Sequence, residues 1–99
     1  MLDINKNIEN GKAVFALEGR LDTATAPELD LELKAALPGL SKLTLDFEKL
    51  EYISSAGLRV LLSTQKVMAK QGDMNLINVN ETVMEIFEVT GFTDILTIE

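Results

Sequence analysis

The chain has 99 residues, a formal charge of −7 and no cysteine, histidine or tryptophan. Disulfides are thereby excluded, the commonest zinc, copper and haem ligands are missing, and serine–histidine or cysteine–histidine catalysis has no base. The length suits one domain with a single core, and the remaining acid–base groups are carboxylates, lysines and Tyr52, none of which changes charge near neutral pH without a strongly perturbed pKa.

The charge is unevenly spread. All nine basic residues lie before position 71, whereas six of the sixteen acids, Asp73, Glu81, Glu85, Glu88, Asp94 and Glu99, lie after it. A terminal surface of one sign repels phosphate backbones and anionic lipids, which argues against nucleic-acid and membrane partners. The longest apolar run, Ala13–Leu17, is far short of the ~20 residues that span a bilayer. Met1-Leu2-Asp3 carries neither a basic region nor a long apolar stretch, so no secretory signal is expected and the expected location is cytoplasmic.

The first elements read as a β-hairpin: Leu2 and Ile4, then Asn10-Gly11, then Ala13–Leu17, with Asn-Gly supplying the positive φ angles of a tight turn. Thr25-Ala26-Pro27-Glu28 reads as a helix start, with Thr25 as cap, Pro27 in the first turn and Glu28 as capping-box partner. Leu29, Leu33 and Leu37 share a face, Asp30 and Lys34 form an i,i+4 pair, and Pro38-Gly39 ends the helix. Leu43, Leu45 and Phe47 alternate with Thr44 and Asp46 as in a half-buried strand, and Glu48–Ile53 reads as a loop.

Ser54 or Ser55 then caps a second helix with Leu58, Val60, Leu61, Leu62, Val67 and Met68 as its apolar set, and Gly72 stands where a left-handed terminal residue is wanted. Leu76–Val79 reads as a strand. Asn80 caps a third helix with Val83, Ile86 and Phe87 on one face, Thr90-Gly91 closes it, and Phe92–Ile98 packs or adds a turn or strand. Residues 1–99 therefore form one α/β domain of order ββαβαβα, with a mixed four-stranded sheet, room for a short C-terminal strand, and helices packed against the sheet. Right-handed crossovers make the second, third and fourth strands parallel, so their carboxyl ends share a rim. Loops there, Gly19–Thr23 and Leu50–Ser55, bring Asp22 and Ser55 near one another.

Tyr52–Leu62 is the most informative segment. Ser54 and Ser55 precede Ala56-Gly57 at a helix start, where a hydroxyl can meet orphan N–H groups and small residues admit a close neighbour. A serine here is more often only a cap, but a phosphate at this end would be favoured by the helix dipole and exposed N–H donors.

The run Ile53-Ser54-Ser55-Ala56-Gly57-Leu58-Arg59-Val60-Leu61, with Leu17-Glu18-Gly19-Arg20-Leu21-Asp22 and the ββαβαβα order, resembles the bacterial anti-sigma factor antagonists of the STAS domain superfamily over nearly the whole chain. The resemblance implies a phosphoacceptor at Ser55 and a partner surface containing Asp22, Thr23, Ser54, Ser55, Ala56, Gly57 and Arg59. It implies that the unphosphorylated protein binds an anti-sigma factor, itself a serine protein kinase, and so releases a sigma factor; phosphorylation ends the complex and a serine phosphatase resets it. No catalysis, cofactor or metal is implied. The chain departs from the family pattern in having Ser54 where many members have an acid and Ala56 where many have a second serine, which leaves Ser54 as helix cap or competing acceptor.

Two other readings stand beside this one: a STAS adaptor subunit of a transporter or lipid-trafficking complex that is never phosphorylated, and a small-molecule-binding domain or carboxylate enzyme acting at the same rim. Asp22, Asp46, Glu48 and Glu51 are better explained as exposed loop charge than as an acid–base pair or magnesium site. Thr23 and Thr25 serve turns and caps. Gly57 stands alone, without a phosphate-binding glycine loop. Met68, Met74 and Met84 are expected to fill core gaps, and Glu81, Glu85 and Glu88 to form a solvated face.

Overall fold

The structure is a computed structural model that describes all of residues 1–99. In chain order the elements are β1 (Leu2–Glu9), β2 (Lys12–Leu21), α1 (Ala26–Ala36), β3 (Lys42–Ile53), α2 (Ser55–Met68), β4 (Asp73–Ile77), α3 (Glu81–Thr90), a 3-10 turn Phe92–Asp94 and β5 (Thr97–Ile98). The sheet follows this order in space, with β1 antiparallel to β2 and every later neighbour parallel. The expected ββαβαβα succession is present, and the C-terminal tail does add a fifth strand, Thr97–Ile98 against Asn75–Leu76.

The hairpin between β1 and β2 turns on Asn10 and Gly11 at φ 52° and 76°, the pair of left-handed residues that lets a two-residue loop match the twist of its strands. Along β2, β3 and β4, Ala13, Phe15, Leu17, Leu43, Leu45, Phe47, Met74 and Leu76 are buried, while Lys12, Val14, Thr44 and Asn75 between them are exposed or half-buried. The helices therefore cover one face of the sheet. α1 contributes Leu29 and Leu33 to that core, with Leu37 just beyond its end, α2 contributes Leu58, Leu61 and Met68, and α3 contributes Val83 and Phe87. Phe87 lies 6.2 Å from Phe47, centroid to centroid, joining α3 to β3. On the solvent side Asp30 and Lys34 form the expected ion pair at 2.8 Å, and Met84 is half-buried rather than in the core like Met68 and Met74.

The largest departure from expectation is in β3. Glu48–Ile53 is strand, not loop, and β2 likewise runs through Gly19 and Arg20 to Leu21. The register explains why alternation failed as a guide. Ala16 pairs with Asp46 but Glu18 with Lys49, and Gly19 pairs with Leu50 but Arg20 with Tyr52. At each step β3 holds one residue more than β2, a bulge that turns the following side chains to the other face. Buried residues therefore fall at Phe47, Leu50 and Ile53, three apart, where an unbroken strand would space them by two.

β4 begins at Asp73 and ends at Ile77, earlier than expected at both ends, because Asn78 takes a left-handed conformation at φ 57°. Gly72 has no positive φ. Its lack of a side chain serves close approach instead, since a Cβ there would collide with the carbonyl oxygen of Ser41. Asn80 does cap α3, accepting from the Val83 N–H at 2.9 Å while its side-chain amide donates to the Leu50 carbonyl at 2.7 Å. That second bond ties the α3 start to the bulged half of β3. Gly91, at φ 80°, closes α3 in the left-handed manner expected.

Candidate functional site

The extra length of β2 and β3 brings their carboxyl ends together as paired strand, Leu21 opposite Ile53. One residue on, the Ser54 N–H donates to the Leu21 carbonyl at 2.8 Å. The chains then diverge, with Asp22 opening a tight turn into α1 and Ser55 opening α2. Asp22, Thr23, Ser54, Ser55, Ala56 and Gly57 are thus collected at one rim of the sheet, and Arg59 follows one turn along α2.

The Asp22 turn is held by side chains. Asp22 Oδ1 accepts from the Ala24 N–H at 3.0 Å and the Thr25 N–H at 3.1 Å. Thr25 is buried; its hydroxyl accepts from the Asp22 N–H at 2.9 Å and donates to the Arg20 carbonyl at 2.8 Å. Thr25 is the N-terminal flanking residue of α1, but its hydroxyl makes no bond to the helix, because both of its roles are spent fastening the turn to the end of β2. The expected Thr25–Glu28 capping box is therefore absent. The bond from the Thr25 N–H lowers the Asp22 pKa below its ordinary 3.8, against an opposing desolvation, with further help from the Ala24 N–H. Asp22 consequently keeps its negative charge throughout the physiological range.

A pH dependence follows from that direction. Because the folded value is the lower one, ionised Asp22 adds stability above 3.8 that is lost as pH falls through the folded value. Asp22→Asn keeps an acceptor oxygen but not the charge. Wild type should therefore exceed Asp22→Asn in urea-unfolding stability at about pH 7, with the gap narrowing as pH falls below 3.8 and through the lower folded value. A gap that stays the same size across that acid range would contradict the assignment.

Arg20 and Tyr52, opposite one another in the register, complete the rim: the guanidinium lies 4.5 Å from the Tyr52 ring centroid, and its Nε is 3.8 Å from Asp22 Oδ2. This stacked pair was not foreseen from the sequence, since only the second bulge puts these two residues side by side. Thr23 is exposed at the turn and makes no side-chain hydrogen bond.

The two serines differ sharply. Ser54 flanks α2 in extended conformation, but its hydroxyl oxygen is enclosed, makes no cap bond and has no partner. The expected Ser54 cap is thus present in backbone position only. Ser55 is the first residue of the helix and is exposed. Gly57 explains how α2 sits so low on the strand ends: a Cβ there would lie 2.7 Å from Leu21 Cγ and 2.8 Å from Ile53 Cγ1, closer than such atoms pack. Ala56 is half-buried beside it, and Arg59 points into solvent.

Comparison with known proteins agrees with this architecture. The family model for the STAS domain matches residues 3–99. BtrV of Bordetella bronchiseptica is 37% identical over 91 residues, covering 90% of this chain and 78% of that one. The anti-sigma-B factor antagonist of Bacillus subtilis is 32% identical over 98 residues, covering 98% and 88%. Among solved structures, the Bacillus anti-sigma factor antagonist SpoIIAA superposes in its unphosphorylated form with a TM-score of 0.77 at 19% identity, over 98% of this chain and 87% of that one. Its phosphorylated form gives 0.76 at 19% identity, over 98% and 91%. No helix of the protein is long and apolar enough to cross a membrane. With one family model spanning nearly the whole sequence and relatives above 30% identity matched over most of their length, the chain belongs to the STAS domain family.

Proposed function

We propose that the protein is a cytoplasmic anti-sigma factor antagonist, which binds an anti-sigma factor with serine-kinase activity while unphosphorylated and is switched off by phosphorylation at Ser55. In that step the γ-phosphoryl group passes from ATP to Ser55 Oγ, the hydroxyl proton leaves to a base on the kinase, and ADP departs. A serine phosphatase restores the hydroxyl, so the protein needs no catalytic side chain of its own. The names of its relatives support the class of partner.

The observation that carries the choice of residue is the contrast between the two serines. Ser55 is exposed at the rim, whereas the Ser54 oxygen is shut off from solvent, and a kinase can transfer only to an oxygen it can reach. Phosphate on Ser55 would sit at the N-terminus of α2, where helix dipole and free N–H groups accommodate an anion without unfolding the domain.

The test is capture of partners from the native cell extract, followed by addition of ATP and intact-mass analysis. A kinase-type ATPase in the captured complex, one added phosphate mapping to Ser55, and release of the complex are the expected results. Co-purification of transport components, with Ser55→Ala indistinguishable from wild type in the cell, would replace this reading with the adaptor one. Turnover of a small molecule that is lost in Asp22→Ala would replace it with an enzyme.

A further inference from the structure

Two cations lie on or next to the Ser55 rim, and only one is engaged. Arg20 is stacked on Tyr52 and paired with Asp22, whereas Arg59 is exposed and takes part in none of the three ion pairs of the protein. Arg59 stands four residues after Ser55 within α2, the spacing that stacks two side chains on the same helix face one turn apart. It is also the only charged residue in the first three turns of that helix.

We propose that a phosphate on Ser55 captures Arg59 in an intrahelical phosphate–guanidinium pair, so that one modification withdraws two groups, the Ser55 hydroxyl and the Arg59 cation, from the surface a partner meets. The inference rests on Ser55 being the phosphoacceptor. The chemistry favours the pair: phosphoserine offers three strong acceptor oxygens and about −1.5 to −2 charge, and guanidinium donates two parallel N–H bonds to such a group. Neither side chain must abandon another partner. In the unphosphorylated protein Arg59 is free to meet an acidic group on the kinase, and phosphorylation turns it inward along α2.

The charged groups around the phosphate act in opposite directions. Asp22, in the turn after β2, carries a negative charge that raises the second pKa of the phosphate, and Arg20, 3.8 Å from it, offsets part of that effect. From β3 comes Tyr52, whose ring is stacked against the Arg20 guanidinium. From α2 itself, Arg59 lowers that pKa, and Lys66 lies three turns away. Removing Arg59 leaves Asp22 offset by Arg20 alone.

The experiment is a 31P NMR pH titration of protein in which phosphoserine has been installed at position 55 during translation, at low ionic strength, comparing wild type with Arg59→Gln and with the charge-matched control Lys66→Gln. The second pKa of the phosphate should rise by roughly 0.3 or more in Arg59→Gln, the equivalent of a surface i,i+4 pair. It should scarcely move in Lys66→Gln, and the difference should vanish at about 1 M salt, where screening reaches within ~3 Å. Equal pKa values in all three proteins, or equal rises in both variants, would overturn the pairing. Because the phosphate is installed independently of any kinase, the result stands apart from the Ser55 reading. Incubation of unmodified protein with the captured kinase and ATP tests that reading separately, and no phosphate at Ser55 would remove it.

Discussion

Phosphorylated at Ser55, the protein should bind its anti-sigma factor at least a hundredfold more weakly than the unphosphorylated form, measured by titration calorimetry with the purified partner. A factor of that size corresponds to about 3 kcal/mol. Several independent terms at this rim act in the same direction. The phosphate adds about −1.5 to −2 charge to a surface where Asp22 is already ionised, and acidic groups of a partner that face this surface are then repelled at a cost of several kcal/mol. It also occupies the volume above Ser55, which is exposed, next to a half-buried Ala56 and a buried Gly57, so a partner lying close to the small residues is pushed away. The proposed engagement of Arg59 by the phosphate would remove a further cation. Ser55→Ala loses only a hydroxyl and should bind within about fivefold of wild type, since a neutral exposed hydrogen bond is worth under about 1 kcal/mol. Ser55→Asp carries one charge on a shorter arm and should fall between the two. A phosphorylated protein binding as tightly as the unmodified one would remove Ser55 as the switch.

The proposed switch depends on a rim that was only partly legible in the sequence. The hairpin at Asn10-Gly11, the Leu29 and Leu33 face of α1, the Asn80 cap and the Gly91 stop were all readable, because each rests on a local rule that neighbouring residues satisfy without outside help. The second half of β3 was not, because its two bulges are visible only as a register against β2, and they erase the alternation that marks a strand. The Arg20–Tyr52 stack was hidden for the same reason. Thr25 and Ser54 show a different limit. Residue type and position marked both as caps, yet Thr25 spends its hydroxyl on the Arg20 carbonyl and the Asp22 N–H, and the Ser54 oxygen is enclosed without a partner. A residue of capping type at the flanking position fixes the backbone more surely than the hydrogen bond. Gly72 makes the converse point: a glycine after a helix suggests a left-handed turn, but here the demand comes from Ser41 on a distant segment.

Gly57 links fold to switch, and Gly57→Val should therefore destabilise the domain by about 2–3 kcal/mol, with a fall in melting temperature on the order of 10–20 °C. The added Cβ meets Leu21 Cγ at 2.7 Å and Ile53 Cγ1 at 2.8 Å, and both residues are fully buried, at 0% and 1% exposure. Neither contact is with the free end of a side chain, so relief must come from the backbone. The first turn of α2 would have to lift from the strand ends, straining the 2.8 Å bond from the Ser54 N–H to the Leu21 carbonyl that joins them. Gly57→Ala adds the same Cβ but gains about 1 kcal/mol of helix propensity over glycine, so its net loss should be smaller, near 1 kcal/mol, while the displacement of the turn remains. The two variants together separate stability from switching. Gly57→Ala should stay folded at 25 °C by circular dichroism yet lose partner affinity and Ser55 phosphorylation rate together, because Ser55 and Ala56 move with the lifted turn. A folded Gly57→Ala protein with wild-type affinity and phosphorylation would show that the rim tolerates a raised α2, and the close seating of Gly57 on Leu21 and Ile53 would then serve the core alone.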